Sequence, residues 1–193
     1  TRYLYATLEQ EISRSARYGH ELSVLFLDLD RFKEVNDRHN HLVGSAVLVE
    51  TAHLIDRKIR QVDSAARYGG DEFTMVLVET SHTGALAVAE RIRATVAEHV
   101  FQEADGLSIR LTCSIGVAPN KLIAKMASEF NKPNGISVVY QEDVQTKIWP
   151  LPVRKINGIG PKAEVKLAKL HLHTIGDIAA QEREWLIDNF GQA

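Results

Sequence analysis

The sequence predicts an α+β fold in which a ferredoxin-like mixed sheet with packed helices precedes a small all-α unit. Two observations support this prediction. As far as residue 147, short apolar runs typical of buried strands alternate with amphipathic stretches typical of helices. After Trp149 the pattern changes to Pro150, Pro152 and the turn Asn157–Lys162, followed by short helical stretches. We therefore predict a sheet domain over residues 1–147 and a helical unit over residues 148–193.

Hydrophobic spacing assigns the elements in order. The helices carry apolar residues along one stripe, the strands are short apolar or β-branched runs, and Gly69-Gly70 separates the two strands of a hairpin. The predicted helices cover 3–18, 43–60, 84–99, 120–130, 161–170 and 176–189, and the predicted strands cover 21–30, 64–68, 73–79, 107–117 and 136–140. The order β-α-β-β-α-β-α-β after a leading helix is that of a mixed sheet.

The composition excludes several classes of protein. The 193 residues are 45% hydrophobic and 25% charged, which excludes a disordered tail and a collagen. Cys113 is the single cysteine, so the fold does not depend on an internal disulfide. No apolar stretch reaches the length of a membrane span, and the N-terminal residues lack a secretory signal pattern. We therefore predict a cytoplasmic protein with no membrane partner.

The charges are unevenly distributed. The net charge is −2, yet residues 154–169 contain Arg154, Lys155 and three further lysines against the single acidic Glu164. A basic stripe of this kind fits a polyanion such as DNA, and it fits an ordinary solvated helix face equally well.

Acidic residues follow or begin strands that we expect to be neighbours. Asp28 lies at the end of a predicted strand, and Asp71 and Glu72 lie at the tip of the predicted hairpin. If these strands pair, three carboxylates meet at one rim of the sheet, where Mg²⁺ or Mn²⁺ would neutralise them. Two such metals suit in-line attack on a phosphate. The alternative is that these side chains only cap elements or carry surface charge.

Two motifs carry a resemblance to a known family. The segment Arg67–Phe73, RYGGDEF, resembles the signature of GGDEF-domain diguanylate cyclases, and Asp28–Asp37, DLDRFKEVND, is similar to that family's upstream metal and nucleotide motif. The resemblance covers about residues 2–118. It implies a homodimer that converts two GTP molecules into cyclic di-GMP with Mg²⁺.

The resemblance also implies roles for individual residues. Asp28, the Leu29 carbonyl and Asp71 would hold the metals, and Glu72 would bind metal or help to activate the attacking 3′-hydroxyl. The implied nucleotide-binding residues are Phe32, Lys33, Asn36, Ser45, Gly69, Gly70 and Lys132. Asn36 would contact the guanine edge, and the two glycines would let the backbone approach the nucleotide.

Two further positions concern specificity and regulation. Ser45 stands where the family usually has an aspartate that reads guanine, and its hydroxyl can donate or accept, so ATP becomes a second candidate substrate. Arg60 and Asp63 stand at the spacing of the family's product-inhibition site, which implies that they bind cyclic di-GMP as an allosteric product site.

From about residue 112 the chain resembles a different family. The segments Pro119–Gly135 and Leu151–Lys162 are similar to the palm end and thumb of Y-family DNA polymerases of the DNA polymerase IV type. We interpret the chain as a chimera, engineered rather than natural, joined in the strand Ser114–Ala118 that both families share. Lys132 matches a phosphate-binding lysine of both families, whereas Ile136 replaces an arginine of the cyclases.

The helix-hairpin-helix turn of the thumb-like unit is the candidate DNA contact. Gly158, Gly160 and Lys162 lie where backbone N–H groups and a helix N-terminus would face a phosphate. No segment resembles polymerase fingers, so we do not expect templated synthesis. Three hypotheses stay open: a cyclase with impaired activity, a DNA-binding module, and a catalytically silent recombination of folds.

Overall fold

The computed structural model describes residues 2–190, with side chains from residue 4. Five strands form one sheet in the order β2-β3-β1-β4-β5. They are β1 Leu22–Leu29, β2 Ser64–Gly69, β3 Glu72–Val78, β4 Cys113–Ala118 and β5 Ile136–Val138. Neighbouring strands are antiparallel except β4 and β5, which are parallel. The mixed sheet that the sequence predicts is therefore confirmed.

Helices cover both faces of this sheet, because successive residues of each strand point to opposite sides. The helices of the sheet domain are α1 Arg2–Tyr18, α2 Phe32–Arg38, α3 His41–Asp56, α4 His82–Glu98 and α5 Lys121–Ser128. One core lies between the sheet and α3 and α4, where Leu25, Leu27 and Met75 are fully buried. On the other face, α5 lies against β4 so closely that a Cβ at Gly116 would be 1.8 Å from the Ala124 carbonyl oxygen.

The remaining residues form a small helical unit with its own core. Its helices are α6 Pro161–Lys169, α7 Ile175–Ala179 and α8 Arg183–Phe190. Val153, Leu167 and Leu172 are buried together, and Pro152 forms a β-bridge with Thr174. Among the helices of residues 2–190, none is both long enough and apolar enough to cross a membrane.

The structure differs from the predicted elements in four places. Helix α2 was not predicted, because it is only seven residues long and follows a residue, Arg31, in the left-handed conformation. The strand predicted over 107–117 begins only at Cys113, since the residues before it form an irregular segment with one bridge from Phe101 to Ile109. The helix predicted over 176–189 is two helices, because the chain turns between Ala179 and Arg183.

The fourth difference concerns the domain boundary. The chain divides into compact units that meet between Val138 and Val139. Residues 139–147, which we assigned to the sheet domain, group with the helical unit instead. The physical reason is that a π-helical turn, Val144–Ile148, leads into Trp149, whose carbonyl accepts a hydrogen bond from Gly176 N at 2.9 Å.

Candidate active site

Three acidic residues meet at one rim of the sheet. Asp28, near the end of β1, pairs with Glu72 of β3 on one side and with Ser114 of β4 on the other. The Leu29 backbone N–H donates to the Asp71 carbonyl oxygen at 3.3 Å, which ties the tip of the hairpin to the end of β1. Antiparallel pairing therefore places Asp28, Asp71 and Glu72 close together, as the sequence predicts.

Two of these three carboxylates, those of Asp28 and Glu72, form ion pairs with lysines. Lys132 Nζ lies 2.6 Å from Asp28 Oδ1 and 2.6 Å from Glu129 Oε1. Lys125 Nζ, on α5, lies 2.6 Å from Glu72 Oε1. Among residues 2–190, the ion pairs within 4.0 Å do not include Asp71. Two ammonium groups thus partly neutralise the negative charge of the rim.

Burial changes the protonation of Asp28. Desolvation, the largest cause, acts together with the neighbouring charges of Asp71 and Glu129 to raise the pKa of its carboxyl from 3.8 to about 6. Lys132 acts in the opposite direction through its hydrogen bond and its charge, yet it does not offset the burial. A carboxylate in this position is stabilised by any additional cation.

The donor set at the rim fits a hard divalent cation. The carboxylates of Asp28 and Asp71 and the Leu29 carbonyl are oxygen donors of the kind that Mg²⁺ and Mn²⁺ prefer. The ammonium of Lys132, 2.6 Å from Asp28, lies where a cation would bind that oxygen. Within the described residues, no three acidic, histidine or cysteine side chains already surround a common point. These residues therefore fit Mg²⁺ once Lys132 moves away from Asp28.

Asp30 has a structural role. It is buried and accepts hydrogen bonds from Thr112 Oγ1 at 2.7 Å, Ser114 Oγ at 2.8 Å and the Asn134 backbone N–H at 2.8 Å. These bonds fix the loop that follows Lys132 to the end of β1.

The residues of the upstream motif that we predict to bind nucleotide lie where α2 meets α3. A Cβ at Gly44 would be 2.0 Å from Asn36 Oδ1 and 3.2 Å from Phe32 Cζ, so only glycine permits this contact. The next residue, Ser45, is exposed, as is Lys33 on α2, while Phe32 is buried. The structure therefore places Asn36 against Gly44, the residue that precedes Ser45. Sequence reasoning missed Gly44, whose signal is a glycine inside an otherwise regular helix.

The glycine turn positions the acidic pair. Gly70 has a φ of +41°, and Arg67 Nε donates to its carbonyl oxygen at 2.8 Å. The pairing of β2 with β3 shifts register between Arg67 and Gly69. This irregular turn sets Asp71 at the rim of the sheet, next to the end of β1.

The proposed product site is built around a buried aspartate. Asp63 accepts hydrogen bonds from Arg60 Nε at 3.0 Å, from Arg60 Nη2 at 2.9 Å and from the Val78 backbone N–H at 3.1 Å. Arg60 Nη2 also donates to the carbonyl oxygen of Val78 at 2.7 Å. The Asp63 side chain is 1% exposed and that of Arg60 is 55% exposed, so only the arginine presents a surface to a ligand.

A second group of residues at the hairpin was missed by sequence reasoning. Lys121 Nζ lies 4.6 Å from the ring centroid of Tyr5 and 4.1 Å from that of Tyr68, and it donates to both hydroxyls. Its hydrogen bond lowers the pKa of Tyr68. Lys125 follows one helical turn later, so the available signal was the spacing of two lysines on one face of an amphipathic helix.

In the helical unit, the candidate DNA contact is an exposed turn. Gly158 has a φ of +95°, Gly160 precedes α6 as its N-cap residue, and Lys162 is exposed in the first turn. Pro161 occupies the first helical position, where its missing N–H costs no hydrogen bond. The residues at the start of α6, from Gly160 to Lys162, are therefore exposed.

Comparison with known proteins relates the sheet domain to one family. The profile described as "Diguanylate cyclase, GGDEF domain" matches residues 1–128. Diguanylate cyclase A of Treponema denticola is 46% identical over 107 residues, which is 55% of this chain and 29% of that protein. A solved structure of the GGDEF domain of PA1120 from Pseudomonas aeruginosa superimposes with a TM-score of 0.69 at 30% identity, covering 76% of this chain and 92% of the other.

The later part of the chain is similar to a different group. The profile described as "IMS family HHH motif" matches residues 141–172. DNA polymerase IV of Moorella thermoacetica is 46% identical over 110 residues, which is 57% of this chain and 25% of that protein. The chain thus spans less than a third of the length of these curated relatives.

Proposed function

Because the chain belongs to the family of GGDEF-domain diguanylate cyclases through residues 1–128, we propose that its sheet domain is a nucleotidyltransferase. It binds GTP with Mg²⁺ and joins two GTP molecules into cyclic di-GMP. The observation that carries the proposal is the pairing of Asp28 with Glu72 beside Asp71, which gathers three carboxylates at one rim.

The chain's own residues divide the work of the reaction. Asp28, Asp71 and the Leu29 carbonyl would hold Mg²⁺, which would supply positive charge to stabilise the negative charge that develops on the attacked phosphate. Glu72 would bind the metal or accept the proton of the attacking hydroxyl. Lys132, held between Asp28 and Glu129, is placed to bind the triphosphate.

The guanine base of GTP is recognised by residues of α2 and α3. Asn36 is supported by its contact with Gly44 and contacts the guanine edge. Ser45 accepts or donates a single hydrogen bond where an aspartate would accept two, so discrimination against ATP is weaker by about 1–3 kcal/mol. Of the predicted pair, Arg60 binds the cyclic product at a regulatory site, while the buried Asp63 holds the Arg60 guanidinium in place.

The stoichiometry of the reaction requires a dimer. Each 3′-hydroxyl attacks the α-phosphate of the other GTP, and each attack expels pyrophosphate. One subunit holds one nucleotide, so two copies of the chain face each other during the reaction. Ile136, at the start of β5, offers no charge to the phosphates, and we therefore expect slow turnover.

The test is a product assay with a matched pair of variants. Wild type, incubated with GTP and Mg²⁺, should form cyclic di-GMP, and Asp71→Asn should lower the rate by roughly 100-fold or more because a metal ligand is lost. Asp56→Asn removes the same charge at an exposed position at the end of α3 and should leave the rate unchanged. Equal product from wild type and Asp71→Asn would contradict the proposal.

A second candidate function belongs to the helical unit. We propose that residues 141–172, which match the HHH motif of the IMS family, contact DNA phosphates through Gly158, Gly160 and Lys162. The exposed turn before α6 supports this assignment, since helix N-termini bind phosphate oxygens.

The two matches to different families on successive segments also support our proposal that the chain is a chimera. GTP binding without product would identify a catalytically silent recombination of folds.

A further inference from the structure

Helix α5 places Lys125 beside the proposed metal site, and the proposed function gives this lysine no role. Lys125 Nζ lies 2.6 Å from Glu72 Oε1, and the two side chains are 22% and 19% exposed. Ion pairs at this depth hold their geometry more firmly than pairs in open water, because solvent screens them less. Glu72 therefore presents one oxygen to an ammonium group instead of to a metal.

The Lys125 ammonium also lies near two aromatic rings. Lys125 Nζ lies 5.3 Å from the ring centroid of Phe26 and 5.7 Å from that of Tyr68. Both distances are within reach of a cation–π attraction, which stabilises a cation that has lost its carboxylate partner. Releasing Glu72 thus leaves the lysine over two aromatic faces and not in a purely apolar environment.

The neighbouring lysine of α5 does not share this arrangement. Lys121 contacts the hydroxyls and rings of Tyr5 and Tyr68 and forms no ion pair within 4.0 Å among the described residues. It lies one helical turn before Lys125 on the same helix. The two lysines therefore differ in their contact with Glu72 while carrying the same charge in the same region.

We propose that Lys125 is a positioning residue that acts as a resident counter-ion of Glu72, which Mg²⁺ must displace when it binds the rim. The inference rests on the proposed function, since it concerns the metal that function requires. Metal binding and release of Lys125 are then one coupled exchange. Its consequence is a metal affinity lower than the three carboxylates alone would give.

The experiment measures Mg²⁺ binding by calorimetry in the absence of nucleotide, with the full chain. Lys125→Met should tighten Mg²⁺ binding by roughly fivefold, because the competing ion pair is lost. Lys125→Arg, which keeps the charge, should stay within about twofold of wild type. Lys121→Met, the matched control on the same helix, should also change binding less than about twofold.

A second readout guards against loss of folding. The shift of the melting temperature on adding Mg²⁺ should be larger for Lys125→Met than for wild type, and Lys125→Gln provides the same comparison if the methionine variant does not fold. Equal tightening by Lys121→Met and Lys125→Met would overturn the proposal in favour of a general field effect. Unchanged binding in Lys125→Met would overturn it while leaving the cyclase proposal intact. No Mg²⁺ binding in any variant would overturn the counter-ion proposal, while the cyclase proposal would still be decided by the GTP product assay, since substrate phosphates also bind Mg²⁺.

Discussion

At the scale of single residues, the rim of the sheet concentrates charge that folding has partly removed from water. Asp28 is the clearest case, since desolvation and the neighbouring carboxylates raise the pKa of its carboxyl to about 6 from 3.8. Between these two values the folded state binds more protons at this site than the unfolded state does. The free energy of unfolding therefore falls as the pH rises through that window.

This asymmetry predicts a pH-dependent effect of Asp28→Asn in metal-free buffer. At pH 8 the neutral amide should raise the free energy of unfolding by about 1–3 kcal/mol, because it removes a poorly solvated charge. At pH 4 the gain should vanish, since the wild-type carboxyl is then mostly protonated in the folded state. Denaturation followed by far-ultraviolet circular dichroism in the presence of a chelator measures the difference.

The control is Asp37→Asn, which makes the same change at an exposed position of α2. It should alter stability by less than about 0.5 kcal/mol at both pH values. An Asp28→Asn variant that is less stable than wild type at pH 8 would show that attraction to Lys132 outweighs burial.

At the scale of elements, the site depends on how closely α5 lies against β4. A Cβ at Gly116 would be 1.8 Å from the Ala124 carbonyl oxygen and 2.6 Å from Ser128 N, and both atoms belong to the backbone. The helix that carries Lys121 and Lys125 is therefore held at a distance that only glycine permits.

Gly116→Ala should displace α5 and lower the free energy of unfolding by at least about 2 kcal/mol, because backbone cannot rotate away from the new methyl group. Gly84→Ala is the matched control. Gly84 lies in the first turn of α4, where alanine forms helix better than glycine does. A Cβ at Gly84 would be 3.1 Å from the methyl carbon of the Thr80 side chain. Equal stability of the two variants by urea denaturation would contradict the close packing of α5.

The elements that the sequence predicts correctly are those with a strong hydrophobic period. The strand that carries Asp28 is predicted because buried strands need continuous apolar runs, and the hairpin that carries Asp71 and Glu72 is predicted from the Gly69-Gly70 turn between two short strands. Helix α2 escapes prediction because a left-handed residue and a short length hide its start. The Lys125–Glu72 pair could not be predicted, since it depends on the packing of α5 over Gly116 and not on local spacing.

At the scale of the whole molecule, the two compact units place their charged side chains differently. The sheet domain gathers carboxylates at its rim, while the helical unit carries exposed Arg154, Lys155, Lys162 and Lys169. The acidic rim repels a polyanion and the basic turn attracts one, so DNA binding by this chain would come from the helical unit.

The helical unit offers few phosphate contacts, and this predicts weak binding that salt abolishes. Labelled duplex DNA titrated with the full chain should bind at about 50 mM salt and lose most of that affinity by about 200 mM, because each contact releases counter-ions. Lys162→Glu should weaken binding at low salt, since it reverses a charge beside the exposed turn before α6. Lys147→Glu, at a lysine already paired with Asp143 at 3.0 Å, is the control and should have the smaller effect. Binding that is insensitive to salt, or equal losses in both variants, would rule out a phosphate contact at this turn.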